Sequence, residues 1–296
     1  MTTELTAPPA VPSGSRRRGR ASRRRSWTWM EILSATWLVL LVFGMFLLPL
    51  ILHLDALEFD AKARFAGPSA EYLLGTDNYG RDLLARALSG AKVSLFIGLG
   101  STFLALVIGV PIGTAAAYFG GWVDAVISFV TDVILGFPGL VLALVLTAFL
   151  GASKTNVMIA ITAQAIPAFV RMARSQTLAL MNRDFVEASK VLGTRPHSII
   201  ARDLFPNIAD TILAFAFVAA GRAIIIEGGL SFLGMGLPLP QPTWGVMINE
   251  GRQYLNTDPH LILVPSVFLM LSILSFNVLA DRLRADATTD GGGKGA

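Results

Sequence analysis

Six long apolar stretches alternate with polar segments along the chain. They cover residues 30–52, 93–119, 126–150, 157–181, 208–236 and 261–279. A helix needs about 20 consecutive apolar residues to cross the hydrocarbon core of a bilayer, and each stretch is close to that length. The pattern therefore predicts an all-α membrane protein with about six transmembrane helices.

Prolines fall inside these stretches at positions that include Pro111, Pro138, Pro167 and Pro265. A proline in a membrane helix leaves a backbone carbonyl that neighbouring helices or water must satisfy. We therefore expect a bundle with irregular interior surfaces, which suits transport.

A polar segment, residues 53–92, separates the first two apolar stretches. It ends in GTDNYGRDLLARALSG, where Thr76 or Asp77 could cap a short amphipathic helix whose leucines share one face. The sequence leaves open whether this helix lies on the bilayer surface or faces a substrate.

Composition agrees with a bilayer environment. The 296 residues are 53% hydrophobic and only 15% charged. Cysteine is absent, which excludes disulfides and thiolate metal sites. The three histidines, His53, His197 and His260, lie on different segments and lack the spacing of metal ligands, so no metal site is expected.

Basic charge is concentrated at the N-terminus, in Arg16, Arg17, Arg18, Arg20, Arg23, Arg24 and Arg25. Such a cluster beside an apolar stretch is typical of contact with membrane lipid and of orientation by the positive-inside rule, more than of nucleic-acid binding. We therefore expect a multi-pass protein of the bacterial cell membrane with both termini in the cytoplasm. Residues 1–27 and 285–296 are expected to be disordered tails around a transmembrane domain, 28–284.

A charged island of residues 182–206 lies between the fourth and fifth apolar stretches. A short helix is predicted over 185–192, with Gly193 ending it and Pro196 starting another. The two helices would meet at an angle. They would then present an apolar ridge to a groove on a soluble partner, formed by Ile199, Ile200, Leu204 and Phe205.

Asp132, Arg222 and Glu227 are the candidates for ion coupling among the ionisable residues of the apolar stretches. Arg222 and Glu227 are five residues apart, so they point about 140° apart around a helix and do not pair with each other. Each is expected to face the bundle interior and a partner on another helix. A structural ion-pair network and a place on the translocation path both remain open.

No nucleotide-binding motif is complete. The segment GASKT, residues 151–155, has a serine where the second glycine of a phosphate loop belongs. No pairing of nucleophile and base indicates an intramembrane hydrolase. The chain is thus expected to hydrolyse no ATP itself and to hold no cofactor.

Four segments together resemble the permease subunits of dipeptide, oligopeptide and nickel ABC importers, in particular the dipeptide permease C type. They are GTDNYGRDLLARALSGAKVSL from Gly75, YFGGWVDAVISFVTDVILGFP from Tyr118, EASKVLG with its following Pro206, and EGGLSFLGMGLPLPQPTWGVMINEGRQYL from Glu227. Small departures occur at Ser189, Asp203, Phe205 and Arg222.

The resemblance implies a type I ABC importer (MetI-like) fold. It implies three kinds of protein partner: a second homologous permease, two ABC ATPase subunits that hold ATP and Mg²⁺, and an extracytoplasmic binding protein. The binding protein would deliver peptide as the cargo. It further implies that residues 182–206 are the coupling loop on which an ATPase docks, with the contact made by Glu187, Ala188, Ser189, Gly193, Ile199, Ile200, Leu204, Phe205 and Pro206. The alternative function is an ion-coupled secondary transporter of small solutes, motivated by Asp132, Arg222 and Glu227.

Overall fold

The structure, a computed structural model, describes residues 26–291 and their side chains as far as residue 286. Every regular element in this part of the chain is helical. The helices are α1 (Trp29–Ile51), α2 (Leu83–Phe119), α3 (Gly121–Leu135), α4 (Gly139–Leu150), α5 (Lys154–Met181), α6 (Asp184–Val191), α7 (Pro196–Ser198), α8 (Phe205–Phe232), α9 (Trp244–Gly251) and α10 (His260–Gly291). A π-helical turn, Ile199–Leu204, joins α7 to α8, and a 3₁₀ turn, Arg252–Tyr254, follows α9.

The two expected tails fare differently. Residues 1–25, most of the expected N-terminal tail, lie outside the described part of the chain. At the other end α10 continues to Gly291, so residues 285–291 are helical rather than disordered.

Five segments are long and apolar enough to cross a bilayer among the described residues: α1, α2, α5, the segment Pro196–Phe232, and α10 as far as Asp286. The sixth predicted span, residues 126–150, is not one helix. It is split between α3 and α4, which meet at an angle of 88°. The count reaches six if this bent pair is taken as one span, and the all-α membrane fold is confirmed.

Pro138 explains the break between α3 and α4. Its ring removes a backbone donor and disfavours helical geometry at the preceding residue, Phe137. The amide of Gly136 still bonds to the carbonyl of Asp132, at 3.0 Å, and the helix ends there. The other three prolines lie inside continuous helices α2, α5 and α10, so only one of the four expected irregularities breaks a helix.

The N-terminus of α2 corrects the predicted amphipathic helix. Asp82, not Thr76 or Asp77, is the cap, because its carboxylate accepts from the backbone amides of Leu84 and Ala85 at 2.7 and 3.1 Å. The helix that starts there continues without interruption to Phe119. Leu83, Leu84 and their neighbours are buried, so this segment is the first part of a spanning helix and not a helix on the bilayer surface.

Residues 52–82, here called the α1–α2 cap, cover one end of the bundle. An ion-pair network ties them to α2 and α9. Arg81 contacts Asp77 at 2.6 Å and Glu250 at 3.2 Å, and Arg86 pairs with the same two carboxylates. Both arginines are almost fully buried. Removing one partner of a buried charge pair strands the other, so this network holds the cap in place.

Two glycines allow α2 and α5 to pack closely at the centre of the bundle. A Cβ atom at Gly109 would lie 2.8 Å from Cβ of Phe169, and one at Gly113 would collide with the carbonyl oxygen of Val170. Small residues at such contacts let helix backbones approach in a bilayer, where no hydrophobic force drives helices together.

The opposite end of the bundle gathers both ends of the described chain and the segment between α5 and α8. Arg282 on α10 pairs with Glu31 on α1 at 2.8 Å. Tyr118, at the end of α2 remote from the cap, packs against the cluster containing Val186, Ile199 and Leu204. Residues 182–206 and the described termini therefore share one end, as the alternation of spans predicts.

Replacing Gly113 by alanine should destabilise the bundle, because the new Cβ forces α2 away from α5. Overpacking of this kind costs about 1–3 kcal/mol. We expect a lower melting temperature of the detergent-purified protein. Gly221→Ala is the control, since the nearest atom to its new Cβ is 3.6 Å away. Equal melting temperatures for the two variants would contradict the close contact.

Candidate functional site

Residues 182–206, here called the elbow, form two short helices that meet at a left-handed turn. Gly193 has φ +74°, a conformation that side chains other than glycine and asparagine rarely adopt. Its amide donates to the carbonyl of Lys190, and that of Thr194 to the carbonyl of Ser189, each at 3.0 Å. Pro196 then starts α7 at a position where its missing amide hydrogen costs nothing. This helix–turn–helix arrangement is as the sequence predicts.

The predicted apolar ridge is wrong for two of its four members. Ile199 and Leu204 are fully buried within the chain, where they pack with Val186 of α6. Leu180 and Met181 at the end of α5 complete this cluster. The physical reason is that the elbow folds back onto the ends of α2 and α5, so these aliphatic groups anchor it. Ile200 is half-buried, and Phe205 is 47% exposed.

The exposed apolar surface of the elbow lies instead at the end of α6. Val191 is 88% exposed and Leu192 is 82% exposed. They project beside Lys190 and Arg195, which are also exposed. This exposed aliphatic pair among charged side chains, at the end of the bundle, is a candidate contact surface for another protein.

The helical repeat could have identified this pair. Val186 marks the buried side of α6, and Val191 lies five residues later, about 140° around the helix. Leu192 lies about 120° away on the other side. An apolar residue so far from the buried face points away from the bundle.

The remaining predicted docking residues lie on the surface of the elbow. Glu187, Ala188, Gly193 and Pro206 are exposed, and Ser189 is half-buried. The Ser189 hydroxyl donates to a carboxylate oxygen of Asp203 at 2.9 Å. This bond joins α6 to the π-helical turn. Ser189 and Asp203, two of the four departures from the family pattern, thus share a structural role.

Asp132 pairs with Arg171 of α5, so its partner is on another helix as expected. However, both side chains are more than 60% exposed, and the pair lies on the surface of the described chain rather than in its interior. A second pair, Asp124 with Arg174, also joins α3 to α5.

Glu227 is fully buried in α8. One carboxylate oxygen accepts from the hydroxyl of Ser231 at 2.7 Å, and the other has no hydrogen-bond partner in the described structure. It therefore faces the bundle interior, where the hydroxyls of Ser94 on α2 and Thr243 before α9 also lie close to its carboxylate.

Arg222 is exposed, so the expectation that it faces the bundle interior is wrong for the described chain. It lies on the opposite side of α8 from Glu227 and does not pair with it. No acidic side chain between residues 26 and 286 is recorded within ion-pair distance of it. It lines a concave pocket of about 70 Å³ between α5 and α8, together with Gln164, Phe169 and Phe215.

The chain matches the family described as "Binding-protein-dependent transport system inner membrane component" over residues 109–286. This stretch contains the elbow, α8 and most of α10.

Known relatives align with most of the chain. It is 37% identical over 226 residues to the glutathione transport system permease protein GsiD of Pectobacterium atrosepticum, covering 76% of this chain and 75% of that protein. It is 37% identical over 236 residues to the dipeptide transport system permease protein DppC of Alkalihalophilus pseudofirmus, covering 80% and 78%. GsiD of Escherichia coli O157:H7 is 38% identical over 218 residues, covering 74% and 72%.

A solved structure of the MetNI methionine ABC transporter in inward-facing conformations has a similar fold. The TM-score is 0.54 at 19% identity, over 67% of this chain and 95% of that one. This likeness shows the type I importer fold. The chain belongs to the family of inner membrane components of binding-protein-dependent transport systems.

Proposed function

We propose that this permease carries peptides into the cytoplasm while separate ABC ATPase subunits, docked on the elbow, hydrolyse ATP. A second homologous permease completes the channel, and an extracytoplasmic binding protein delivers the substrate. Nucleotide and Mg²⁺ belong to the ATPase subunits, since no complete phosphate-binding loop occurs in this sequence.

The single observation that carries the proposal is the exposed pair Val191 and Leu192. Fully burying an aliphatic side chain of this size is worth about 1.5–3 kcal/mol, so the two together suit the centre of a protein interface. The surrounding charged side chains suit its rim.

Charge supports a cytoplasmic elbow. Sixteen of the 24 lysines and arginines lie in the segments assigned to the same side as the elbow, and seven lie on the other side. The positive-inside rule favours that orientation. The α1–α2 cap then faces the binding protein.

The anchoring of the elbow supports a mechanical role. Its buried cluster contacts the ends of α2 and α5, and its π-helical turn leads directly into α8. A displacement of α6 by a closing ATPase is therefore passed to three spanning helices. Alternating access follows if these helices move relative to the second permease when nucleotide binds.

A peptide substrate is supported by the relatives, which are named as dipeptide and glutathione transport proteins. Glutathione is itself a tripeptide, so the two names share a chemistry of amide and carboxylate groups.

Replacing Val191 and Leu192 together by aspartate should abolish ATPase binding. The loss of two buried aliphatic contacts predicts at least a 100-fold weaker association, about 2.7 kcal/mol. Copurification of the ATPase subunits with tagged permease measures it, and Lys62→Gln, an exposed lysine in the α1–α2 cap at the opposite end of the bundle, is the control. Retention of the ATPases by the double variant would rule out this docking surface.

Replacing Gly193 by valine should reduce ATP-driven uptake into proteoliposomes, while Gly193→Asn should keep most of it. Space is not the reason, because no atom lies within 4 Å of a Cβ built there. The reason is φ +74°, which costs a β-branched residue about 1–2 kcal/mol or more and which asparagine tolerates.

The same uptake assay separates the two energy sources. Uptake should require ATP and survive a protonophore. Uptake that stops with the protonophore and persists without ATP would favour the ion-coupled alternative, as would full activity of Gly193→Val.

A further inference from the structure

Arg222 lies deep within a spanning helix. It follows Phe205, the first residue of α8, by 17 positions, which is roughly 25 Å along a helix of roughly 42 Å. Long basic side chains reach water easily only near the ends of such helices. Arg222 therefore cannot face lipid without a large cost, and the surface that exposes it must be an aqueous path or a protein contact.

A second polar group lines the same pocket. Gln164 of α5 is 7% exposed, and no hydrogen bond from its side-chain amide is recorded to any residue in the described part of the chain. Its amide belongs to the pocket lining and can both donate and accept hydrogen bonds, so Gln164 is suited to a ligand that does the same.

The rest of the pocket provides shape. Phe169 and Phe215 form a pair of rings at one wall, with centroids 5.0 Å apart. Small side chains such as Ala165 and Ala219 leave room beside them. The cavity has a volume of about 70 Å³ and opens to the surface of the described chain, so it suits one terminal group of a ligand rather than a whole small molecule.

We propose that this pocket is a substrate site on the translocation path, in which Arg222 binds a carboxylate of the peptide and Gln164 binds a peptide group. The guanidinium fork matches a carboxylate in two parallel hydrogen bonds, and no acidic side chain of the described residues competes for it. The inference rests on the proposed peptide import and adds a selectivity that this chain itself exerts: peptides with a free carboxylate are favoured over neutral ones.

The test compares two probes in the complete transporter reconstituted in proteoliposomes: the dipeptide Ala-Ala with its free carboxylate, and the same dipeptide as its C-terminal amide. Uptake of each is measured with ATP and saturating binding protein. Because the same binding protein serves every variant, a change in the ratio of acid to amide uptake between variants belongs to the permease.

Arg222→Gln should lower uptake of the acid at least 10-fold and change uptake of the amide less than about 3-fold, since one charge-assisted carboxylate contact is lost. Arg222→Lys, which keeps the charge, should retain at least a third of acid uptake. Gln164→Leu should reduce both peptides together. The matched control is Arg252→Gln, an exposed arginine outside the pocket, which should leave the ratio unchanged.

An unchanged acid uptake in Arg222→Gln overturns the site, and so does an equal loss for both peptides. Loss of the second permease from purified Arg222→Gln complexes, with the ratio intact, overturns it too, because Arg222 would then pair with an acidic group of that subunit. If the amide is not taken up at all, the comparison of Arg222→Lys with Arg222→Gln decides: equal acid uptake by both excludes a role for the charge. Failure of the unaltered transporter to take up any peptide with ATP would contradict the proposed function instead.

Discussion

The elbow depends on the burial of three aliphatic side chains, Val186, Ile199 and Leu204, against the ends of α2 and α5. The cluster packs at the end of the bundle among the exposed charged side chains of the elbow, and the burial of its aliphatic groups stabilises it. Its burial fixes the direction of α6. Because Val186 faces inward, the helical repeat turns Val191 outward. One set of contacts thus anchors the elbow and exposes the surface proposed to bind the ATPase.

The two ends of the bundle are held by different interactions. At the cap end, Arg81 and Arg86 share the carboxylates of Asp77 and Glu250, which ties the cap to α2 and α9. Between the ends, the contact of α2 with α5 through Gly113 is close enough that neither backbone can shift alone. The elbow cluster contacts the ends of the same two helices, α2 and α5, that pack closely at Gly113.

The sequence predicts the spans well because a bilayer imposes a length and a composition that can be read directly from residues. It predicts the turn at Gly193 for a similar reason, since the conformation there is a local preference of glycine. The sequence does not predict the break between α3 and α4. The reason is that a proline only weakens a helix, and packing decides whether the helix ends there. Pro111 and Pro167 lie in continuous helices although the local chemistry is the same.

The predicted docking residues show the same division between what local sequence determines and what tertiary packing determines. The sequence predicts an interface over residues 182–206 because a charged loop rich in aliphatic groups suits contact with a partner. Which of those groups face the partner depends on how the loop folds back, and that is a tertiary property. The predicted exposure of Ile199 and Leu204 is therefore wrong. The exposure of Val191, by contrast, follows from the helical repeat once the buried side of α6 is known.

The absence of cysteine from the sequence permits a direct test of the central claim, that a separate ATPase subunit binds the end of α6. A single Leu192→Cys substitution provides one reactive thiol in this chain, and a short thiol-to-amine crosslinker joins it to whatever protein lies within reach in native membranes. The account predicts a crosslinked product that contains an ABC ATPase subunit, with no such product from Phe149→Cys, which is 87% exposed but lies at the end of α4. A Leu192→Cys thiol that crosslinks to no ATPase while the transporter is assembled and active would contradict the account.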